Sequence, residues 1–448
     1  MDTRRDFLRK IGLVGGILAL GPRAFAKPMP VKKKTAEVRA TIYRAVNGKP
    51  DENLTRVIEM LGGIEHIFGP DDVVVIKPNV QWWNQGVPNL SALKTFIDLI
   101  MNRAGGFHGE VVIAENCHRG LQPWKHAGWH TQFLRNSDLS SIRNFNDLSN
   151  HLKKKYGNQF TTCHWINVAA GGKRVFGPED GTGYVYCDGT GGTPLITCNN
   201  RLEGSDYRAT IMTYPIFTTD QGTIIDFKKG IWEKGAYTKQ PLRFVNFAAL
   251  NHHSTENGGA TSSVKNYLGI SDISGGPDPF EGGKLTEHYY NFHSFPFNKW
   301  SPGPKQGMLG AEVAVFMKTI RKADLNITTA EWVGMASRTE PPVAHTRAVL
   351  ASRDPVVLDY HAAKYILYPN SKCRIHSPDD KKSPLHQYLA KCSEEGGGIF
   401  DEQYVEVKSH DFKTNKPQQD HELAIKATKH WGTNPKMWGK YIVLRTMY

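Results

Sequence analysis

The sequence predicts an α/β protein, a mostly parallel sheet with covering helices, interrupted by a large loop- and strand-rich insertion. Three observations carry that expectation. Residues 38–116 alternate strand, helix, strand, helix and strand patterns, the order that builds a parallel sheet under helices. Two of those strands are unbroken apolar runs, as expected of strands buried on both faces. From residue 119 to 240 the regularity loosens into a stretch rich in Gly, Asn, Trp and Tyr, and it resumes at residue 242.

Residues 38–46 read as a first strand. Residues 51–61 place Leu54, Val57, Ile58 and Leu61 at helical spacing, with Gly62-Gly63 as the stop. Asp72-Val73-Val74-Val75-Ile76 is a β-branched run ending at Lys77-Pro78-Asn79. Ser91 is the expected cap of a helix through Met101 that turns Leu93, Phe96, Ile97 and Ile100 to one side. Residues 110–114 form another buried strand, ending at Glu115-Asn116. In the insertion, Asp188-Gly189-Thr190-Gly191-Gly192 lacks the lysine of a phosphate-binding loop and reads as a turn. Residues 242–250 resume the sheet, residues 349–352 read as a strand, and residues 354–367 form a helix with Asp354 as cap and Pro355 in its first turn.

The 448 residues carry 56 Lys and Arg against 43 Asp and Glu, a formal charge of +13, which favours anionic partners. The first 26 residues read as an address rather than as fold. A basic region with the pair Arg4-Arg5 precedes Phe7-Leu8, a short apolar run and Ala24-Phe25-Ala26, together resembling a twin-arginine export signal. The expected partner is the twin-arginine translocation machinery and the expected location the periplasm. Loss of the leader leaves about +10 on about 422 residues. The expected division is leader 1–26, linker 27–37, α/β domain 38–407 and basic C-terminal extension 408–448. No ribonucleoprotein signature or zinc finger accompanies the basic residues, so no nucleic acid is expected. After cleavage no stable membrane span is expected.

Six cysteines (Cys117, Cys163, Cys187, Cys198, Cys373, Cys392) form no Cys-x-x-Cys pair, so no iron–sulfur cluster is expected in this chain. Cys187 and Cys198 suit a disulfide across a Gly-rich hairpin, and folded export equally suits free thiols. His252-His253 and His288 with His293 are candidate metal ligands lacking the further partners a site needs.

Four ordered segments share one likeness. Val74-Val75-Ile76-Lys77-Pro78-Asn79 resembles the first signature of the "domain of unknown function 362" family. Residues 261–269, with Lys265-Asn266 and Gly269, are similar to its Thr-x-x-x-Lys-Asn-x-x-Gly element. Ser352-Arg353-Asp354-Pro355 through Asp359 resembles its Ser-x-Asp-Pro-x-x-x-Asp element, and Tyr388 through Ile399 its Gly-rich close. The likeness spans residues 38–407 with the insertion outside it, and implies a fold and a site but no established reaction. Two positions depart from it. Asn251-His252-His253 stands where the family has Lys-x-His, so only His253 carries over, and Thr329 stands where an Asp is usual. Some relatives append iron–sulfur segments, which this chain does not.

Lys77 and Asn79 sit where ligands bind in open α/β sheets, beyond the carboxyl end of a strand. With Lys265 and Asn266 they offer two ammonium groups and two amides to a carboxylate or phosphate. The amides also suit turn-building. His253 is the expected acid/base, Lys77 and Lys265 the catalytic or charge-binding cations, and Asn79, Asn266 and Glu115 the substrate-binding residues. Asp354 is first a helix cap. Asp359, about 500° further around the helix, suits a salt bridge to either lysine or, with Asp354, a divalent metal. Trp82-Trp83 and the stretch from Trp124 to Trp129 suit a cleft wall or core. The function expected is an enzyme acting on a small anion. The alternatives are a redox or iron–sulfur-associated accessory protein and a non-catalytic ligand-binding protein.

Overall fold

In a computed structural model, nine strands pair into one sheet: β1 (Ala40–Val46), β2 (Val73–Pro78), β3 (Glu110–Asn116), β4 (Phe160–Trp165), β5 (Leu242–Ala249), β6 (Leu325–Gly334), β7 (Val343–Ser352), β8 (Val405–Asp411) and β9 (Thr428–His430). The structure describes residues 37–116, 127–199, 209–273, 288–289, 305–418 and 423–446. The leader, almost all of the linker, Cys117, Trp124 and His293 lie outside the described residues. Residues Val38–Tyr448 form one compact unit.

Across the sheet the order is β8-β1-β7-β6-β5-β2-β3-β4, and β9 pairs with β7. From β6 through β5, β2 and β3 to β4 every pairing is parallel, as is β1 with β8, while β7 runs antiparallel to β1, β6 and β9. The class is α/β with a mixed, mostly parallel sheet.

The β-branched run of β2 is explained by cover on both faces. Val74 and Ile76 join a core with α1 (Pro50–Met60), α2 (Leu90–Met101) and α3 (Phe145–Tyr156). Val73 and Val75 face the other core, which holds residues of α4 (Ser263–Asn266), α5 (Lys305–Thr319), α6 (Pro355–Ala362) and α7 (Pro384–Glu394). Every β2 residue is buried, and each Val or Ile removed from water contributes about 1.5–3 kcal/mol. At α1, Pro50 occupies the first turn, Glu52 accepts from the Lys49 N–H at 2.8 Å, and Gly62 and Gly63 end the helix at φ +101° and +93°. The cap of α2 is Asn89, not Ser91. Its side chain accepts from the Ala92 N–H at 3.1 Å, so the helix starts at Leu90.

Two boundaries differ from expectation. Helix α3 and strand β4 lie within the 119–240 insertion, yet β4 extends the main sheet in register with β3. The antiparallel sheet from Gly183–Tyr186 to Ala236–Tyr237 is the strand-rich part, and its Tyr184, Tyr186, Ile216 and Phe217 pack onto the same core as Val73 and Val75. The 408–448 extension begins inside β8 and supplies β9, so part of it belongs to the sheet. Cys187 and Cys198 are both buried, and Cys187 is a free thiol, so the two are not joined in a disulfide. No helix among the described residues is long and apolar enough to cross a membrane.

One feature of this order places the site. The chain leaves β2 through α2 toward β3, and leaves β5 in the opposite direction toward β6. The two strands are neighbours, with Lys77 opposite Asn246 and Pro78 opposite Phe247. Their carboxyl ends therefore flank a topological switch point, where diverging connections leave a crevice.

Candidate functional site

A small open cleft lies at that switch point, lined among others by Lys77, Asn79, Trp82, Glu115, Asn116, Asn251, His253, Thr261, Lys265, Asn266, Gly269 and Arg338. All six residues expected as catalytic or substrate-binding groups line it, brought there by the ends of β2 and β3, by the loop after β5 and by α4. Their hydrogen bonds separate those that hold the cleft together from those that remain available to a ligand.

Lys77 belongs to the first kind. Its ammonium reaches Glu115 at 2.9 Å, Asn266 Oδ1 at 2.8 Å and the Pro78 carbonyl at 3.0 Å, which engages its three protons. Glu115 also accepts from the Val80 and Asn116 N–H groups. Burial pulls the Lys77 ammonium below the usual lysine range and pushes Glu115 above the usual carboxylate range, each opposed by the partner's charge. The expected anion-binding lysine is thus already neutralised inside the protein. Asn266 donates to the Lys77 carbonyl and to Asn246 Oδ1, while Asn79 donates to the Gly86 carbonyl and accepts from the Ala249 N–H. Both amides therefore tie β2, β5 and α4 into one frame.

Gly269 shows why the Lys-Asn-x-x-Gly spacing ends in glycine. A Cβ there would lie 2.8 Å from Lys77 Nζ and 3.1 Å from Glu115 Oε1. Only a bare backbone fits against the ion pair.

Lys265 is of the other kind. It is 5% exposed, its Nζ donates to the Asn257 carbonyl at 2.6 Å, and no carboxylate among the described residues pairs with it. Burial first, and the Arg338 charge second, hold its ammonium well below the usual lysine range. Arg338 lies in the turn after β6, its guanidinium stacked over Trp82 at 4.3 Å and its Nη1 2.6 Å from His253 Nε2. The Ser254 N–H addresses His253 Nδ1 at 2.8 Å. Both ring nitrogens of His253 are thus held by neighbouring groups, which fix the orientation of the imidazole in the cleft.

Arg338, Asn251 and Thr261 are missing from the residues expected on sequence. Asn251 and Thr261 pair across a short antiparallel bridge, and Asn251 Nδ2 and Oδ1 and Thr261 Oγ1 are buried without a hydrogen-bond partner among the described residues. Trp82 Nε1 shares that condition. A tight turn before a Thr, and an Asn beside two histidines, give no periodic signal to find them by.

The two aspartates expected as metal ligands do other work. Asp354 accepts from the Val356, Val357 and Ile399 N–H groups and caps α6. Asp359 accepts from the Ser263 and Val264 N–H groups at 2.7 and 2.8 Å, so it holds α4 by its backbone and forms no salt bridge to either lysine. Neither lines the cleft, and their oxygens are committed to peptide donors. His252 turns away from His253 and pairs with His376 at 3.0 Å in the interior, where burial keeps both rings neutral and lowers His376 to about 3. Among the described residues no group of three or more His, Cys, Asp or Glu is placed to hold a metal ion. Thr329, where an Asp was expected, accepts from the Asn89 N–H and so links β6 to the start of α2.

Comparison with protein-family models, with curated proteins and with solved structures finds no match.

Proposed function

We propose that this chain is an exported enzyme that takes a small carboxylate or phosphate into the cleft between β2 and β5. In this reading Arg338 supplies the charge, Lys265 is a buried amine beside it, His253 is the base, and Lys77 with Glu115 forms the frame behind them. One observation carries it. Three donors on cleft side chains, Trp82 Nε1, Asn251 Nδ2 and Thr261 Oγ1, are buried without a partner among the described residues, in the same cleft as the Arg338 guanidinium and the Lys265 amine. A buried donor left unpaired costs about 1–3 kcal/mol, which an oxyanion accepting from it offsets. The twin-arginine-like leader supports export, and the ordered likeness to the domain of unknown function 362 family supports a site at these residues.

The test is calorimetric titration of the purified protein with acetate and with phosphate. Loss of a charge-assisted hydrogen bond is worth about 1.5–3 kcal/mol, so Arg338→Met should weaken binding about 10-fold or more. An unchanged affinity in Arg338→Met and in His253→Ala together would remove the basis of this reading.

A further inference from the structure

The cleft holds two lysines in opposite circumstances. Lys77 has every proton engaged and a carboxylate at 2.9 Å, so its nitrogen has neither a lone pair to offer nor room to move. Lys265 has one carbonyl acceptor at 2.6 Å, a guanidinium for an electrostatic neighbour and no carboxylate partner among the described residues. A desolvated lysine beside another cation is the arrangement that makes an amine nucleophilic at neutral pH. Its neighbours in the cleft suit a carbonyl substrate bearing an acid group. A guanidinium offers five N–H donors in a fork that fits a carboxylate, and Asn251 presents both a donor and an acceptor without protein partners among the described residues.

We infer that Lys265 Nζ forms an imine with the carbonyl carbon of a 2-oxo carboxylate whose carboxylate lies at Arg338. This deepens the reading above and rests on it, choosing a carboxylate over a phosphate and adding a carbonyl beside it. The amine lone pair forms the N–C bond while the carbonyl π pair moves to oxygen. The proton lost by nitrogen passes through water in the open cleft to that oxygen, giving a carbinolamine. The hydroxyl then leaves with a proton as water, and the nitrogen lone pair closes the C=N bond. The sum is amine plus ketone giving imine plus water, with no change of oxidation state and no further reactant. Asn251 Oδ1 is an acceptor for the carbinolamine hydroxyl, a group present in neither the free substrate nor the imine.

The probe is pyruvate. Full-length mature protein is mixed with it, pulsed with sodium borohydride to fix any imine as a secondary amine, and mapped by peptide mass spectrometry. An ordinary lysine is almost wholly protonated at pH 7, so Lys265 should be labelled about 10-fold or more above Lys234, whose side chain is 87% exposed. The labelling should saturate with pyruvate, fall when propionate competes, and persist to lower pH than labelling at Lys234. Equal labelling of the two lysines overturns the inference. Propionate binding by calorimetry with no adduct at Lys265 overturns it too, and leaves the anion site standing. Failure of acetate, phosphate, propionate and pyruvate all to bind removes the anion site and the imine together.

Discussion

Lys77 and Lys265 show how neighbours decide what a side chain does. At Lys77 the ammonium is a structural cation, buried against Glu115 and tied to Asn266. Removing one partner of such a pair strands the other charge in the interior, which costs about 3–5 kcal/mol. Glu115→Gln should therefore lower stability to urea by about that amount, whereas Lys77→Met with Glu115→Leu, which removes both charges, should restore most of it. Equal losses in the single and double variants would mean that packing, not charge, holds this corner. At Lys265 the same ammonium lacks a carboxylate, and its chemistry is turned toward the cleft.

At the scale of elements, α4 is a single helical turn, too short to stand alone, and Asp359 secures it through two backbone N–H groups. Burial raises the Asp359 carboxyl to about 7, above the ordinary value of about 3.9 that it returns to on unfolding. Between those values the folded state binds the extra proton. This group's contribution therefore makes stability fall as pH rises from about 4 to 7, with the full cost present above 7. Asp359→Asn should flatten that part of the stability profile measured by denaturant titration across the range. A profile unchanged in the variant would mean that the carboxyl titrates normally. The turn that follows α4 has its own constraint. Gly269→Ala would press a methyl onto Lys77 Nζ and should cost about 1–3 kcal/mol in overpacking, together with weaker acetate binding by calorimetry.

These elements also show what was legible in the sequence. The Val73 to Ile76 run declares a strand covered on both sides, so the position of Lys77 at its carboxyl end follows from local pattern. Asp354 before Pro355 announces a helix cap by chemistry alone. What local pattern does not carry is the partner across space. That Glu115 neutralises Lys77, and that Asp359 holds α4 rather than a lysine, depends on the order in which the strands assemble. Arg338 sits in an aperiodic turn, and its stacking on Trp82 joins two segments far apart in the chain. The loosened pattern of residues 119–240 hid α3 and β4 because a strand at the sheet edge carries a mixed, half-covered sequence, Phe160-Thr161-Thr162-Cys163-His164-Trp165.

For the whole molecule, the two faces of one sheet divide the apolar mass into two main cores, with the cleft opening at the end of the strands between them. The basic surplus follows the whole chain, and export is the reading of its first 26 residues. Replacing Arg4 and Arg5 together by Lys should block translocation, and the exported wild-type protein should begin at Lys27 by N-terminal sequencing. A periplasmic product that begins at Met1, or export unaffected by the double change, would contradict this assignment.

The switch point also orders events in time. Strand β2 is made early, yet its neighbour on the cleft side is β5, with Val73 opposite Leu242. A growing chain that has released Lys77 and Glu115 from the ribosome still lacks Asn266, the amine of Lys265 and the guanidinium of Arg338. Such distant pairing is the slow part of folding. The cleft therefore cannot exist on a chain that has not grown past Arg338, and occupancy by a ligand would certify that synthesis has passed that residue and that the long-range pairing is made.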